Sequence, residues 1–298
     1  MRDIRNVVVV GAGTMGSQIA LQTARRGHHR VVLTDADPKQ LERARSQNQA
    51  VVSRWIEKGR IQPIDGDAIL GRIRFISRFE EAVSTADLAI EAVYEDVEVK
   101  RDVFKRLDGA APAHTILASN SSTIVISRLA EVTRRPDRCC NMHFFHPVTV
   151  MQLCEIVRGP QTSDATTEAA LAFVDSIDRI PVLVRKEIRG FIVNRILVAA
   201  TEEALRLYEQ GYADFKDIDV AVKKGLNWPM GLFELLDFSG IDIYYGTARD
   251  RYLAGEGPEP ALTVTERIQA GNLGRKTGKG FYEYDEEGRI IAVKSPER

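Results

Sequence analysis

The stretch Val7-Val8-Val9-Val10-Gly11-Ala12-Gly13-Thr14-Met15-Gly16 decides the fold. Four β-branched residues in a row, with no polar alternation, predict a strand covered on both faces, as in a parallel sheet. The glycines then sit at a strand-to-helix turn. Gly11 suits the tight turn, Gly13 lets the backbone approach a pyrophosphate, and Gly16 permits close packing of a helix running through Ile19, Ala20 and Ala24. With Ala12, Thr14 and Met15 they form a turn whose helix N-terminus faces phosphates. A second apolar strand, Val31-Val32-Leu33, ends in Thr34-Asp35, about where a ribose-binding acid falls in dinucleotide-binding units. Asp35 would accept hydrogen bonds from a ribose diol and repel a 2′-phosphate, and Ala36 offers no cation to offset that repulsion. The expected cofactor is NAD rather than NADP; Lys39 and Arg43, further on, are the cations that could reach round to oppose the preference.

Beyond this unit apolar runs keep alternating with helical patterns. Leu88-Ala89-Ile90 precedes a helix near Val97 to Leu107, and Thr115-Ile116-Leu117-Ala118 precedes one around Ile124 to Ala130. Cys139 to Phe144, Leu153 to Val157 and Val182-Leu183-Val184 read as further strands, with a helix near Thr166 to Ile177. After about Lys186 the strands stop. Ile192, Ile196, Ala200, Ala204 and Leu207 recur at helical spacing, and helical segments follow near Ile218 to Lys224 and Leu232 to Leu236. The predicted class is α/β: a Rossmann-type domain over 1–186, then an all-α domain over 187–298.

The chain has 298 residues, 44% hydrophobic and 28% charged, with a formal net charge of −1. That balance suits a globular two-domain enzyme and leaves no global basic field for nucleic acid or an acidic membrane. Cys139, Cys140 and Cys154 form neither a metal spacing nor a disulfide framework, and no metal is expected. A core strand within ten residues of Met1 leaves no room for a leader, and the longest uncharged stretch, Gly109 to Ser127, carries His114, Asn120 and several serines. A cytoplasmic protein without a membrane span is expected.

Chemistry concentrates in His143-Phe144-Phe145-His146-Pro147-Val148-Thr149-Val150-Met151-Gln152-Leu153-Cys154-Glu155, a largely apolar run with an imidazole at one end and a carboxylate at the other. A histidine that moves a proton near neutral pH works best when a carboxylate fixes its tautomer and stabilises its charged form. At ~4 Å and an effective dielectric near 20 that stabilisation reaches about 4 kcal/mol. Glu155 is the candidate partner of His143.

Gly11 to Gly16, Glu91-Ala92-Val93-Tyr94-Glu95, Ala118-Ser119-Asn120-Ser121-Ser122, the His143 to Glu155 block, Gly190-Phe191-Ile192-Val193-Asn194-Arg195 and Gly274-Arg275-Lys276-Thr277-Gly278-Lys279-Gly280-Phe281-Tyr282 occur together and in order. In these the chain resembles the L-3-hydroxyacyl-CoA dehydrogenases, most of all the short bacterial 3-hydroxybutyryl-CoA type, from about Arg5 to Tyr284. The resemblance implies an NAD-binding domain, a helical C-terminal domain that dimerises, an active site in the cleft between them and an acyl-CoA substrate. It places the proton-transferring histidine on His143 and its orienting glutamate on Glu155. The serine that meets substrate and cofactor falls on Ser122, and the substrate-side asparagine on Asn194. Cofactor contacts fall on Gly11, Ala12, Gly13, Thr14, Met15, Gly16, Asp35, Glu95, Lys100, Ser122, His146 and Lys276, and a coenzyme A contact on Lys58.

Four positions depart from the pattern. His146 stands where an asparagine usually follows the two phenylalanines, and is expected to alter acyl preference. Gln18 and Arg189 replace a glycine and a proline, and Leu232 replaces a second proline. Related dehydrogenases of free hydroxy acids, of the gulonate or carnitine type, share the fold and the histidine/glutamate pair. Arg43, Arg45, Arg54, Lys58 and Arg60 favour a thioester instead, because coenzyme A phosphates require cations. A non-catalytic NAD-binding relative is the third alternative, opposed by the retained His143, Glu155, Ser122 and Asn194.

Overall fold

The computed structural model describes residues 3–291. The chain divides into two compact units between Val193 and Asn194.

The first unit holds one sheet of eight strands: β1 (Asn6–Val10), β2 (Arg30–Thr34), β3 (Ile73–Phe75), β4 (Leu88–Glu91), β5 (Ile116–Ser119), β6 (Cys139–Phe144), β7 (Leu153–Arg158) and β8 (Ile180–Val184). Its helices are α1 (Thr14–Arg25), α2 (Pro38–Glu57), α3 (Pro63–Gly71), α4 (Phe79–Val83), α5 (Val97–Ala110), α6 (Ser127–Ala130) and α7 (Asp164–Ser176). The strand order is β3-β2-β1-β4-β5-β6-β7-β8. β1 to β6 are mutually parallel, and β7 runs antiparallel to β6. The apolar run of β1 behaves as its composition requires. Val7 and Val9 join Ile19, Leu41 and Phe173 in one core, while Val8 and Val10 join Phe79, Phe104 and Leu129 in the core on the other face. Because successive side chains alternate faces, a strand covered twice has no solvent side on which a polar residue could sit.

Two expectations needed revision. The helix expected from Ile124 is only Ser127–Ala130, because the preceding backbone is captured by side chains: Ile124 N–H donates to Ser121 Oγ at 2.8 Å, and Ile124 C=O accepts from Asn141 Nδ2 at 3.1 Å. The segment α3-β3-α4 has no counterpart in the elements expected from sequence. β3 is a three-residue edge strand whose central residue, Arg74, is exposed, so it carries almost no periodic signal.

In the second unit α8 (Val193–Glu209), α9 (Phe215–Gly225), α10 (Leu232–Ser239), α11 (Ile241–Leu253) and α12 (Leu262–Gln269) surround Leu205, Phe233, Ile241, Val264, Phe281 and Tyr282. Asp237 accepts the N–H groups of Phe281 and Tyr282, both at 2.8 Å, and Asp219 accepts those of Phe233 and Glu234 at the start of α10, both at 2.9 Å. The Gly274 to Tyr282 motif thus has a packing reason: a Cβ on Gly274 or Gly280 would strike Asp237. No described helix is long and apolar enough to cross a membrane.

Candidate active site and dinucleotide crevice

The turn after β1 is shaped by three glycines acting differently. Gly11 has φ +103°, and a Cβ there would lie 2.6 Å from Ala92 O; a Cβ on Gly16 would lie 1.8 Å from Gly11 O. On Gly13 a Cβ would meet nothing of the chain within 4 Å, so the turn is open at that point. α2, α5 and α7 are capped by Asp37, Asp96 and Ser163, whereas α1 has neither a side-chain cap nor an acid in its first turn. Its first N–H groups are therefore left for an external anion. Asp35, just past β2, accepts Ala12 N–H on Oδ2 at 2.7 Å and Asp37 N–H on Oδ1 at 2.9 Å. Each oxygen keeps acceptor capacity for a ribose hydroxyl. These residues fit a dinucleotide.

A paired substitution separates the two glycine roles. Gly16→Ala forces a methyl into backbone and is expected to lower the melting temperature by about 5 °C or more, since overpacking costs roughly 1–3 kcal/mol or more. Gly13→Ala should melt like the parent yet bind NADH at least about tenfold more weakly. Thermal unfolding with and without NADH reads both; equal behaviour of the two variants would remove the distinction.

The loops after β4 and β5 are tied together. Glu95 accepts from the hydroxyls of Ser121 and Thr123, the latter at 2.9 Å, and pairs with Lys100 at 3.2 Å. Burial alone would raise the Glu95 carboxyl, but Lys100 and these hydroxyls outweigh it and hold it below its ordinary value. Ser122 stands half-buried in the second loop, its hydroxyl without a partner among the described residues. Asn120 Oδ1 accepts the N–H of Phe144 at 3.0 Å, fastening this loop to the end of β6. Lys100 departs from the picture of a cation facing the cofactor: it is 1% exposed and bonded to Glu91 at 2.7 Å.

On β6 and β7 the antiparallel register sets His143 directly opposite Glu155. Only residues 145–152 connect the strands, too few for the crossover a parallel pair requires, and this reversal turns a separation of twelve residues into contact. His143 Nδ1 lies 2.8 Å from Glu155 Oε2. As the acceptor is a carboxylate, Nδ1 carries the proton, and the neutral ring presents a lone pair at Nε2. Glu155 Oε1 accepts the N–H groups of Ile192 and Val193, both at 3.0 Å. Burial pushes its carboxyl up, but the bonds from His143, Val193 and Ile192 prevail and keep it below the ordinary carboxylate value. The His143 ring is flanked by Phe145 and Phe191, with centroids at 4.4 and 5.5 Å. Phe191 is buried with φ +48°, a conformation that strains a bulky residue and persists only where neighbours enforce it; here Glu155 holds the next two N–H groups. Sequence alone assigned no role to Phe191 or Glu91. The signal was present for Glu91, a charge ending the apolar run of β4.

Exposed His146 lies just beyond β6, its Nε2 3.4 Å from Gln18 Nε2, and Gln18 Oε1 accepts Val148 N–H at 2.8 Å. Two departures from the family pattern therefore touch each other. Lys58 is exposed at the C-terminal end of α2. In the second unit Asn194 lies half-buried in the first turn of α8, and Lys276 is bound by both carboxylate oxygens of Asp242 at 2.6 Å. No cluster of three or more His, Cys, Asp or Glu able to hold a metal occurs among the described residues.

A glycine turn feeding an uncapped helix, an acid at the end of β2 and a buried His/Glu pair on one parallel-dominated sheet define an NAD-binding, Rossmann-type dehydrogenase. Residues 6–188 match the 3-hydroxyacyl-CoA dehydrogenase NAD binding domain, and residues 190–284 the 3-hydroxyacyl-CoA dehydrogenase C-terminal domain. The chain belongs to the 3-hydroxyacyl-CoA dehydrogenase family. It is 38% identical over 289 residues to the mitochondrial hydroxyacyl-coenzyme A dehydrogenase of Homo sapiens, covering 94% of this chain and 91% of the relative. With a probable 3-hydroxybutyryl-CoA dehydrogenase of Bacillus subtilis it shares 36% identity over 293 residues, covering 96% and 99%. The crystal structure of (S)-3-hydroxybutyryl-CoA dehydrogenase from Ralstonia eutropha superposes with a TM-score of 0.90 at 37% identity, covering 95% of this chain and 100% of the other.

Proposed function

We propose that this protein interconverts (S)-3-hydroxyacyl-CoA and 3-ketoacyl-CoA with NAD, acting on short chains of the 3-hydroxybutyryl-CoA and acetoacetyl-CoA type. The observation that carries the reading is the buried His143–Glu155 pair at 2.8 Å in a chain of this family. Oxidising a secondary alcohol takes a base for the hydroxyl proton, a hydride acceptor and donors for the growing carbonyl oxygen. Bound NAD supplies the hydride acceptor. His143 Nε2 takes the hydroxyl proton, and Glu155 stabilises the imidazolium that results. In the reverse direction His143 returns the proton to the ketone oxygen, with Ser122 and Asn194 as hydrogen-bond donors. Gly11 to Gly16, Asp35 and Glu95 hold the dinucleotide, with His146 and Lys276 as further contacts. Arg43, Arg54, Lys58 and Arg60 supply cations for coenzyme A phosphates.

A homodimer through the helical unit is supported by large apolar side chains left exposed there, among them Ile196, Ile243 and Leu253 at 59%, 61% and 71%. Cytoplasmic residence is supported by three free, buried cysteines.

The test compares NADH-dependent reduction of acetoacetyl-CoA with longer 3-ketoacyl thioesters, and NAD-dependent oxidation of free 3-hydroxy acids. Turnover is expected with the thioesters, highest for the shortest. Turnover of free acids with none of any thioester would overturn the proposal.

A further inference from the structure

Val148, 1% exposed in the connection between β6 and β7, is held by side chains at both polar groups of its backbone. Its N–H donates to Gln18 Oε1 at 2.8 Å, and its C=O accepts from Arg179 Nε at 3.0 Å and Nη2 at 2.7 Å. Arg179 is itself buried, and its Nη1 donates to Asp178 O at 2.6 Å. The loop that carries Phe145 and His146 is thus fastened to α1 on one side and to the residue before β8 on the other. The Val148 bond also settles which way the Gln18 amide points. Because Oε1 accepts that N–H, the end turned to His146 Nε2, 3.4 Å away, is the NH₂. An amide NH₂ donates and cannot accept. His146 Nε2 is therefore the acceptor, and the single proton of the neutral ring sits on Nδ1.

We infer that Gln18 is a positioning residue that fixes His146 as the Nδ1–H tautomer, so that the ring presents one neutral donor to an acceptor oxygen of the bound dinucleotide. Gln18 lies one helical turn after Thr14, the first residue of α1, and so on the same face of that helix. β6 ends at Phe144, two residues before His146, and ligands of open parallel sheets bind outside such strand ends. The ring is exposed there, and its Nδ1 has no hydrogen-bond partner among the described residues. The two departures from the family pattern act as one unit. His143 and His146 carry their protons on the same ring nitrogen for opposite reasons, a carboxylate accepting from Nδ1 in the first and an amide donating to Nε2 in the second. The His146 lone pair is occupied by Gln18, so this ring offers a donor where His143 offers a base.

The inference rests on the proposed NAD binding and not on the acyl substrate. Its test uses the full-length protein labelled with ¹⁵N in histidine, at about pH 8, where a free imidazole is unprotonated. Ring nitrogens with and without a proton differ widely in ¹⁵N shift, and His146→Phe identifies the His146 signals among those of five histidines. In the parent His146 is expected to show a protonated Nδ1 and a bare Nε2, and in Gln18→Met a mixture of both tautomers. The Kd for NADH, followed by nicotinamide fluorescence, is expected to rise about fivefold in Gln18→Met and in His146→Phe, the size of one neutral hydrogen bond. The double variant should match His146→Phe, since the two side chains act through one contact. If Gln18 served only to secure Val148, Gln18→Met would weaken binding as much in the His146→Phe background as in the parent, and that result would overturn the inference. A proton on Nε2 of the parent's His146 would overturn it whether or not any variant folds. Failure of the NAD reading is distinguishable, because it shows as a parent protein that binds no NADH at all, and it removes the inference with it.

Discussion

His143→Ala is expected to lower turnover by roughly 10²- to 10⁴-fold or more while leaving NADH affinity within about twofold. The split follows from where the imidazole sits. Its Nδ1 is committed to Glu155, its ring lies against Phe145 and Phe191, and none of its described contacts involves the glycine turn or Asp35. Removing the ring deletes the group proposed to move the proton and leaves the glycine turn and Asp35, on β1, α1 and β2, untouched. The cavity left between the two phenylalanines costs stability, so activity is normalised to folded protein by titrating NADH sites. Turnover that survived the change would remove His143 from the proton-transfer role. Lost NADH binding with normal residual chemistry would make it a structural residue of the crevice.

What was legible in the sequence, and what was not, follows from how local each signal is. The β1 turn was legible because burial on both faces leaves one pattern, a β-branched run, and the turn chemistry follows at once. Asp35 could be placed because β2 is equally plain. The His143/Glu155 pair could be suspected from chemistry, but its contact depends on β7 reversing direction, which depends on the short connection 145–152. β3 escaped notice because an edge strand of three residues with an arginine at its centre has no period to detect. Lys100 is the sharpest case. A lysine nine residues after an apolar strand reads as a solvated charge or as a ligand, and its burial becomes intelligible only when Glu91, Glu95 and the backbone of Val93 converge on it in three dimensions. Phe191 is hidden for a related reason. Its place beside His143 depends on two successive residues, Gly190 and Phe191, adopting positive φ, for which a phenylalanine gives no local hint.

Glu155→Gln is the change that tests the orienting role most directly, because it keeps shape and removes only the charge and the acceptor facing the ring. Glu155 Oε1 accepts two backbone N–H groups, from Ile192 and Val193, and these fix which end of a glutamine amide goes where. The carbonyl oxygen must take that place, since the amide NH₂ cannot accept. The NH₂ then faces His143 Nδ1 and donates to it, so the ring must carry its own proton on Nε2 instead. The base is present, correctly placed and in the wrong tautomer. In serine proteases, replacing the carboxylate that orients the catalytic histidine by its amide preserves the geometry and lowers turnover about 10⁴-fold. A loss of roughly 10²- to 10⁴-fold is expected here for the same tautomeric reason, with NADH affinity unchanged and the melting temperature within a few degrees of the parent. In the parent the Glu155 carboxyl is held below its ordinary value, so the carboxylate is ionised at neutral pH and faces Nδ1 as an acceptor; glutamine withdraws it. Rates measured for acetoacetyl-CoA reduction under saturating NADH read the loss. A variant with near-parent turnover would show that Glu155 merely secures the Ile192–Val193 backbone and leaves the imidazole to orient itself.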